Sequence, residues 1–152
     1  MKNVDKIITV GSDHAGYRIK EKIKEYLSGE GYAVNDCGCF SEESVDYPDY
    51  AHAIAGEVSK GQSGTGILVC GSGNGVCMTA NRHSNVRAAL CWKEELASLA
   101  RKHNDANVLC LPGRFIDGES AIKIVKTFLE TAFEGERHSR RVAKIDNIGP
   151  SA

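Results

Sequence analysis

The chain has 152 residues, of which 41% are hydrophobic and 26% are charged. These values are ordinary for a globular protein, and they exclude a disordered tail, a collagen-like repeat and a membrane span. Nineteen Lys and Arg residues against 20 Asp and Glu residues leave a net charge of -1, so no overall field attracts nucleic acid or an anionic membrane. Anion binding must therefore come from a local cluster of charges.

The predicted elements alternate between strands and helices. In chain order they are a strand over 6–11, a helix with Ile19, Ile23, Tyr26 and Leu27 at helical spacing, a strand over 32–37, a helix that Pro48 opens, a strand over 67–70, a glycine-rich loop over 71–75, a strand over 87–91, a helix over 94–103, a strand over 106–111 and a helix over 119–133. This alternation predicts an α/β fold: one three-layer α/β/α Rossmann-like domain over 1–152, with a five-stranded parallel sheet and a basic C-terminal segment over 135–152.

The amino terminus and the cysteines indicate a reducing compartment. Only four apolar-leaning residues separate Lys6 from Gly11, too few for the core of a secretory signal, so we expect a cytoplasmic protein. Its six cysteines are then expected to be reduced thiols. Cys37 and Cys39 lack a second Cys or His pair at structural-zinc spacing, so no metal and no other cofactor is expected.

Two polar loops follow predicted strand ends, at 11–16 and 70–75. Parallel sheets bind ligands beyond the carboxyl ends of their strands, where the strand order reverses. If the first and third strands are neighbours, as in flavodoxin-like folds, Asp13 and His14 face Cys70 and Ser72 across one crevice.

The glycine-rich loops match no nucleotide motif. Tyr17 and Arg18 stand where a Walker A loop needs Lys and Ser or Thr, and Val76 replaces both the third glycine of a dinucleotide fingerprint and the arginine of a thiol phosphatase loop. The second loop can still present backbone N–H groups to a small anion or a developing oxyanion.

Three features have two interpretations each. Cys70 is either a small hydrophobic residue or a thiol activated by the loop that follows it. His103 and Asn104 either end a helix or belong to a site. The arginines 137, 140 and 141 are either a solvated helix face or a phosphate clamp.

Several segments together resemble the type B ribose-5-phosphate isomerases and their relatives that act on hexose 6-phosphates. The resemblance runs from Ile7 to Val142, and its motifs are Ser12–Gly16, Val45–Pro48, Cys70–Gly75, Ala80–Asn81, Arg101–Asp105 and Gly135–Arg141. It implies a metal-free aldose–ketose isomerase of the pentose phosphate pathway, acting on a sugar phosphate and built as homodimers that can pair into tetramers.

The resemblance also implies a role for each matching position. Cys70 is the base that moves a proton between sugar carbons 2 and 1, and His103 opens the sugar ring with Asp13. Ser72 and the loop residues Gly71, Gly73, Asn74 and Gly75 hold the enediolate oxygens. The phosphate ligands are His14, Arg137 and Arg141, with Arg114 a further candidate, and Asn104 and Tyr47 contact the sugar. A second branch of the family replaces the cysteine with a glutamate at the position of Val76, so this chain belongs to the cysteine branch.

Three alternatives remain open: an allose- or galactose-6-phosphate isomerase, a noncatalytic flavodoxin-like module that binds a nucleotide or flavin, and an interaction protein whose basic carboxyl-terminal segment binds an acidic partner. Topology adds one more expectation. His103 and Asn104 precede the fifth strand, and right-handed crossovers place them at the sheet edge opposite Cys70, roughly 17 to 20 Å away. We therefore expect active sites shared between two chains, with no nucleic acid or membrane partner.

Overall fold

The computed structural model describes residues 7–149. Its sheet has five strands, all paired in parallel, in the order β2-β1-β3-β5-β4. The strands are β1 (Ile7–Ser12), β2 (Ala33–Asp36), β3 (Thr65–Cys70), β4 (Ala88–Leu90) and β5 (Val108–Pro112). The predicted five-stranded parallel α/β fold is confirmed, including the adjacency of the first and third strands. Lys6, with which the predicted first strand begins, lies outside the described residues, as do 150–152 of the basic segment.

Six helices lie within the described range. They are α1 (Tyr17–Gly29), α2 (Tyr47–Ser59), α3 (Asn74–Ala80), α4 (Glu94–Asn104), α5 (Gly118–Glu130) and α6 (Arg137–Ala143). The sequence did not predict α3, and the predicted last long helix ends at Glu130 instead of residue 133. The basic segment folds as α6 from Arg137 onward, so its arginines lie on a helix.

Helices cover both faces of the sheet, and β3 shows why. Along that strand Ile67 and Val69 belong to the core that α1, α4 and α5 share. Leu68 and Cys70 point the other way, into the core beneath α2 and α3. Side chains alternate between the faces of a strand, so a strand buried on both faces reads as one continuous apolar run.

Two glycines allow the loops at the carboxyl edge of the sheet to pack closely. A Cβ on Gly16 would lie 2.4 Å from the carbonyl oxygen of Val69, so only glycine lets the turn after β1 approach β3. Gly73 has a φ of +77°, and a Cβ there would lie 2.4 Å from Leu90 Cδ1. Both positions therefore need glycine, one for its size and the other also for its left-handed backbone.

Candidate active site

A cavity of about 420 Å³ opens where β1 and β3 end side by side. Its lining consists of Asp13, Tyr47, Cys70, Gly71, Ser72, Gly75, Arg114 and Phe115. The register pairs Ser12 with Val69, so the residues that follow each strand enter the same crevice. This is the place where a parallel sheet with this strand order binds ligands.

Asp13 is held rigidly at the floor of this cavity. The residue is 7% exposed, its backbone N–H donates to the carbonyl oxygen of Val69 at 3.2 Å, and its Oδ1 accepts from the Gly16 N–H at 3.1 Å. One carboxylate oxygen is thus used to close the turn. The other can act on a bound molecule.

Cys70 ends β3 with its thiol turned into the glycine-rich loop. The backbone N–H of Gly73 donates to Cys70 Sγ at 3.2 Å, and that of Asn74 donates to Ser72 Oγ at 3.3 Å. A backbone N–H aimed at sulfur stabilises negative charge there. The loop therefore presents one of its backbone donors to the thiol.

Three of the other thiols have surroundings that keep them protonated. Burial raises the pKa of Cys91 to about 12. Burial, together with the carboxylate of Glu57, raises the pKa of Cys37 to about 11. Burial also raises the pKa of Cys110 well above its usual range. Of these four cysteines, Cys70 is the one that lines the cavity.

Tyr47 and Arg114 line the rest of the crevice, and His14 follows Asp13 in the loop after β1. His14 Nδ1 accepts from the backbone N–H of Val45 at 3.1 Å, which leaves its Nε2 as the protonated nitrogen of the neutral ring. Tyr47 opens α2 and packs its ring on Gly75, where a Cβ would be 2.3 Å from Tyr47 Cε1. The Arg114 guanidinium lies over Gly71 and brings a positive charge to the cavity.

The remaining predicted residues lie at the opposite end of the sheet. His103 and Asn104 are the last residues of α4, and Arg137 and Arg141 are on α6, which packs against α4. The β3–β5 register pairs Gly66 with Val108 and Cys70 with Pro112, so four residues, or about 13 Å, separate the two edges along the strands. Within one chain these four residues therefore do not join the crevice.

His103 lies in a cluster that the sequence analysis did not identify. Its ring stacks on that of His138 with centroids 4.4 Å apart, and its Nε2 is 3.6 Å from Glu134 Oε1. His138 lies in the Gly135–Arg141 motif, but the sequence analysis assigns it no role. Phe115, which lines the cavity and is 76% exposed, was also missed, although an exposed aromatic side chain beside Arg114 was a possible signal.

A larger cavity of about 580 Å³ lies at the amino edge of the sheet. It includes Asn104, but its other lining residues, among them Asn81, His83, Arg87 and Ile145, include none of the proposed catalytic residues. Asp13, Cys70 and Ser72, which the sequence predicts to be catalytic, lie together in the smaller cavity instead.

Comparison with known proteins agrees with this geometry. The family model for ribose/galactose isomerases matches residues 8–145. The ribose-5-phosphate isomerase B of Escherichia coli is 41% identical over 143 residues, which are 94% of this chain and 96% of that protein. The chain belongs to the ribose/galactose isomerase family.

Solved structures of this family have the same fold. Ribose 5-phosphate isomerase from Thermotoga maritima superposes with a TM-score of 0.92 at 51% identity, covering 94% of this chain and 99% of that one. The enzyme from Mycoplasma genitalium, solved with bound ribulose 5-phosphate, gives 0.89 at 45% identity over 93% of this chain and 94% of that one. Within residues 7–149, no helix is long and apolar enough to cross a bilayer.

Proposed function

We propose that this protein interconverts ribose 5-phosphate and ribulose 5-phosphate through an enediolate, with Cys70 as the proton-transfer base. The hydrogen bond from the Gly73 N–H to Cys70 Sγ, inside a crevice that also holds Asp13, is the observation that carries the proposal. The relative from M. genitalium binds ribulose 5-phosphate, which agrees with a sugar phosphate substrate of this size.

The chemistry needs one base and several oxygen ligands. The Cys70 thiolate removes the proton from C2 of the open-chain aldose, and the C–H electron pair forms the C1–C2 double bond while charge moves to O1. The thiol then returns the proton to C1, and the O2 proton passes to O1, which leaves the ketone at C2. The Ser72 hydroxyl and the N–H groups of Gly71 and Gly75 would hold the two oxygens as charge develops, while the N–H groups of Gly73 and Asn74 orient Cys70 Sγ and Ser72 Oγ.

The sugar arrives mainly as a closed ring, so an acid and a base must open it first. Asp13 is placed to accept the proton of the C1 hydroxyl, and His103 is proposed to donate to the ring oxygen. Because His103 lies at the opposite edge of its own sheet, we propose that a partner subunit supplies it. The partner's Asn104 would follow it into the site and contact the sugar.

The surface beside the cavity supports this shared arrangement. Trp92 and Phe115 are 52% and 76% exposed and line an apolar groove next to Ser72. Large exposed apolar groups mark interaction surfaces. A two-fold dimer that covers this groove would build two equivalent composite sites.

The phosphate would be bound by groups from both chains. Arg114 lines the crevice and His14, whose Nε2–H can donate, follows Asp13 in the same loop, while Arg137 and Arg141 are exposed on α6 of the chain that supplies His103. Arginine binds phosphate oxygens through two parallel hydrogen bonds, which fixes the reacting carbons relative to Cys70.

A substrate panel tests the proposal. The purified protein, treated exhaustively with a chelator, is offered ribose 5-phosphate, allose 6-phosphate and galactose 6-phosphate in parallel coupled assays. We expect kcat/KM to be highest for ribose 5-phosphate. Preference for a hexose phosphate would reassign the substrate, and activity that disappears on chelation and returns with a divalent metal would overturn the mechanism.

A further inference from the structure

Three metal-ligating side chains converge between α4 and α6, away from the crevice of their own chain. One ligand atom from each of His103, Glu134 and His138 lies within 4.8 Å of the others. His103 Nε2 and Glu134 Oε1 are 3.6 Å apart. Two imidazoles and one carboxylate form the protein ligand set of a zinc site that leaves its fourth position open.

His138 provides an independent indication that this cluster binds something. The residue is 6% exposed, and its Nε2 is the one buried side-chain nitrogen or oxygen without a hydrogen-bond partner among residues 7–149. A buried polar atom without a partner destabilises the fold, so such atoms are rare and call for a ligand or an ion.

The backbone fixes the cluster before any ion arrives. The Glu134 N–H donates to the carbonyl oxygen of Lys102 at 3.1 Å, which ties the loop to α4 beside His103. The His138 N–H donates to the Gly135 carbonyl at 3.0 Å and sets the first turn of α6. The Glu134 backbone is thus tied to α4, and His138 is set at the start of α6.

We propose that His103, Glu134 and His138 form a binding site for a zinc-class divalent cation, and that the ion inhibits the isomerase by occupying His103. The inhibitory part rests on the proposed function of His103. Ligands about 2.0 to 2.2 Å from a tetrahedral zinc ion lie roughly 3.4 Å from one another. His103 Nε2 and Glu134 Oε1 are already near this separation. Both side chains, 40% and 53% exposed, can rotate to bring the other ligand–ligand distances to the same value.

Ligand chemistry and charge narrow the choice of ion. Imidazole nitrogens favour zinc, copper and nickel, whereas magnesium and calcium prefer oxygen ligands. Arg137 and Arg141 carry positive charge on the same short helix and oppose any cation. We therefore expect a site that fills reversibly and empties on chelation, as an inhibitory site must.

Direct binding tests the site without any reference to catalysis. Zn²⁺ is titrated against a chromogenic chelator, and Co²⁺ is added separately to record its absorption spectrum. We expect one Zn²⁺ per chain and a Co²⁺ spectrum without a thiolate charge-transfer band, which excludes Cys70 as the ligand. Because each lost ligand weakens a metal site by more than about ten-fold, Glu134→Gln and His138→Gln should each weaken zinc binding by at least that factor.

The chain offers a matched control in its second pair of neighbouring imidazoles. His52 Nδ1 and His83 Nε2 are 2.8 Å apart, and no carboxylate joins them in a metal-ligand group within the described residues. His83→Gln should leave the zinc affinity unchanged. Equal affinity in Glu134→Gln and the wild type, a thiolate band with Co²⁺, or loss of binding in His83→Gln would each overturn the proposed site.

Inhibition is measured separately on the same variants. Glu134→Gln should keep its basal isomerase activity and remain active at Zn²⁺ concentrations that inhibit the wild type. His83→Gln should be inhibited like the wild type. Zinc bound at the cluster without inhibition would overturn the inhibitory part alone. Failure of the proposed isomerase function would instead appear as inactivity of the metal-free wild type.

Discussion

The Gly73 N–H and the Cys70 Sγ form a 3.2 Å hydrogen bond that closes the turn at the end of β3. The bond joins a buried thiol to the loop that would bind the enediolate oxygens. Position 73 also needs glycine, because its φ is positive and a Cβ there would lie 2.4 Å from Leu90 Cδ1, so the donor to the thiol belongs to a loop with little freedom to change.

Replacing Cys70 with Ala removes the proposed base. We expect kcat to fall by at least about 100-fold with little change in substrate affinity, because a positioned acid or base contributes at least that much. Steady-state kinetics measure the effect. Cys91→Ala and Cys110→Ala, which alter buried thiols held protonated by their surroundings, should keep most activity. Near wild-type turnover in Cys70→Ala would show that another group moves the proton.

Arg137→Ala and Arg141→Ala should each raise KM and weaken competitive inhibition by inorganic phosphate. Four residues separate them, so both lie on one side of α6, next to His138. Lys123 supplies a control outside α6. It is an exposed cation on α5, 3.6 Å from Glu119, so Lys123→Ala should leave KM unchanged. Equal phosphate inhibition in all three variants would identify the cluster as solvated surface.

Mixing inactive subunits tests whether two chains build each site. Cys70→Ala and His103→Ala proteins are combined under conditions that exchange chains. A mixed dimer holds one intact site and one site that lacks both residues. Random pairing makes half of the dimers mixed, so about a quarter of wild-type activity should return. If exchange is demonstrated by mass spectrometry and no activity appears, both residues act within one chain.

Asp36 should make the fold sensitive to acid through Lys20. The Lys20 ammonium is 1% exposed and lies 2.8 Å from Asp36 Oδ1, and Lys24 contacts the same carboxylate. Burial alone would raise the pKa of Asp36, but hydrogen bonds from both lysines and the Gly38 N–H outweigh it and lower the pKa. The carboxylate therefore stabilises the fold above its unfolded pKa, and this contribution is lost as pH falls through the lower folded value.

Urea unfolding at neutral pH measures the size of that contribution. Asp36→Asn leaves the buried Lys20 charge without its partner and should cost about 3 to 5 kcal/mol. Lys20→Met should cost less, because Asp36 keeps Lys24 and the Gly38 N–H. Asp36→Asn should also flatten the acid dependence of stability. If Asp36→Asn lowers the free energy of unfolding by less than about 1 kcal/mol, other groups or water solvate the Lys20 ammonium in its place.

The sequence predicts the crevice because strand ends and loops are local features. Asp13 and Cys70 each follow an apolar run, so adjacency of two strands suffices to bring them together. The helix α3 escapes prediction since it has seven residues, begins with Asn74 and Gly75, and is stabilised by packing on α2 rather than by helix propensity. Likewise His138 meets His103 across 34 intervening residues, a contact that only the docking of α6 on α4 creates.

Gly16 limits which parts of the crevice can change. Any side chain at this position would collide with the backbone of β3, so the floor of the cavity cannot be widened there. The outer wall is different: Phe115 lines the cavity and is 76% exposed, so side chains of other sizes fit there. Room for a longer aldose must therefore come from the outer wall of the cavity. Laboratory selection for a six-carbon substrate should accumulate substitutions around Phe115 while position 16 stays glycine.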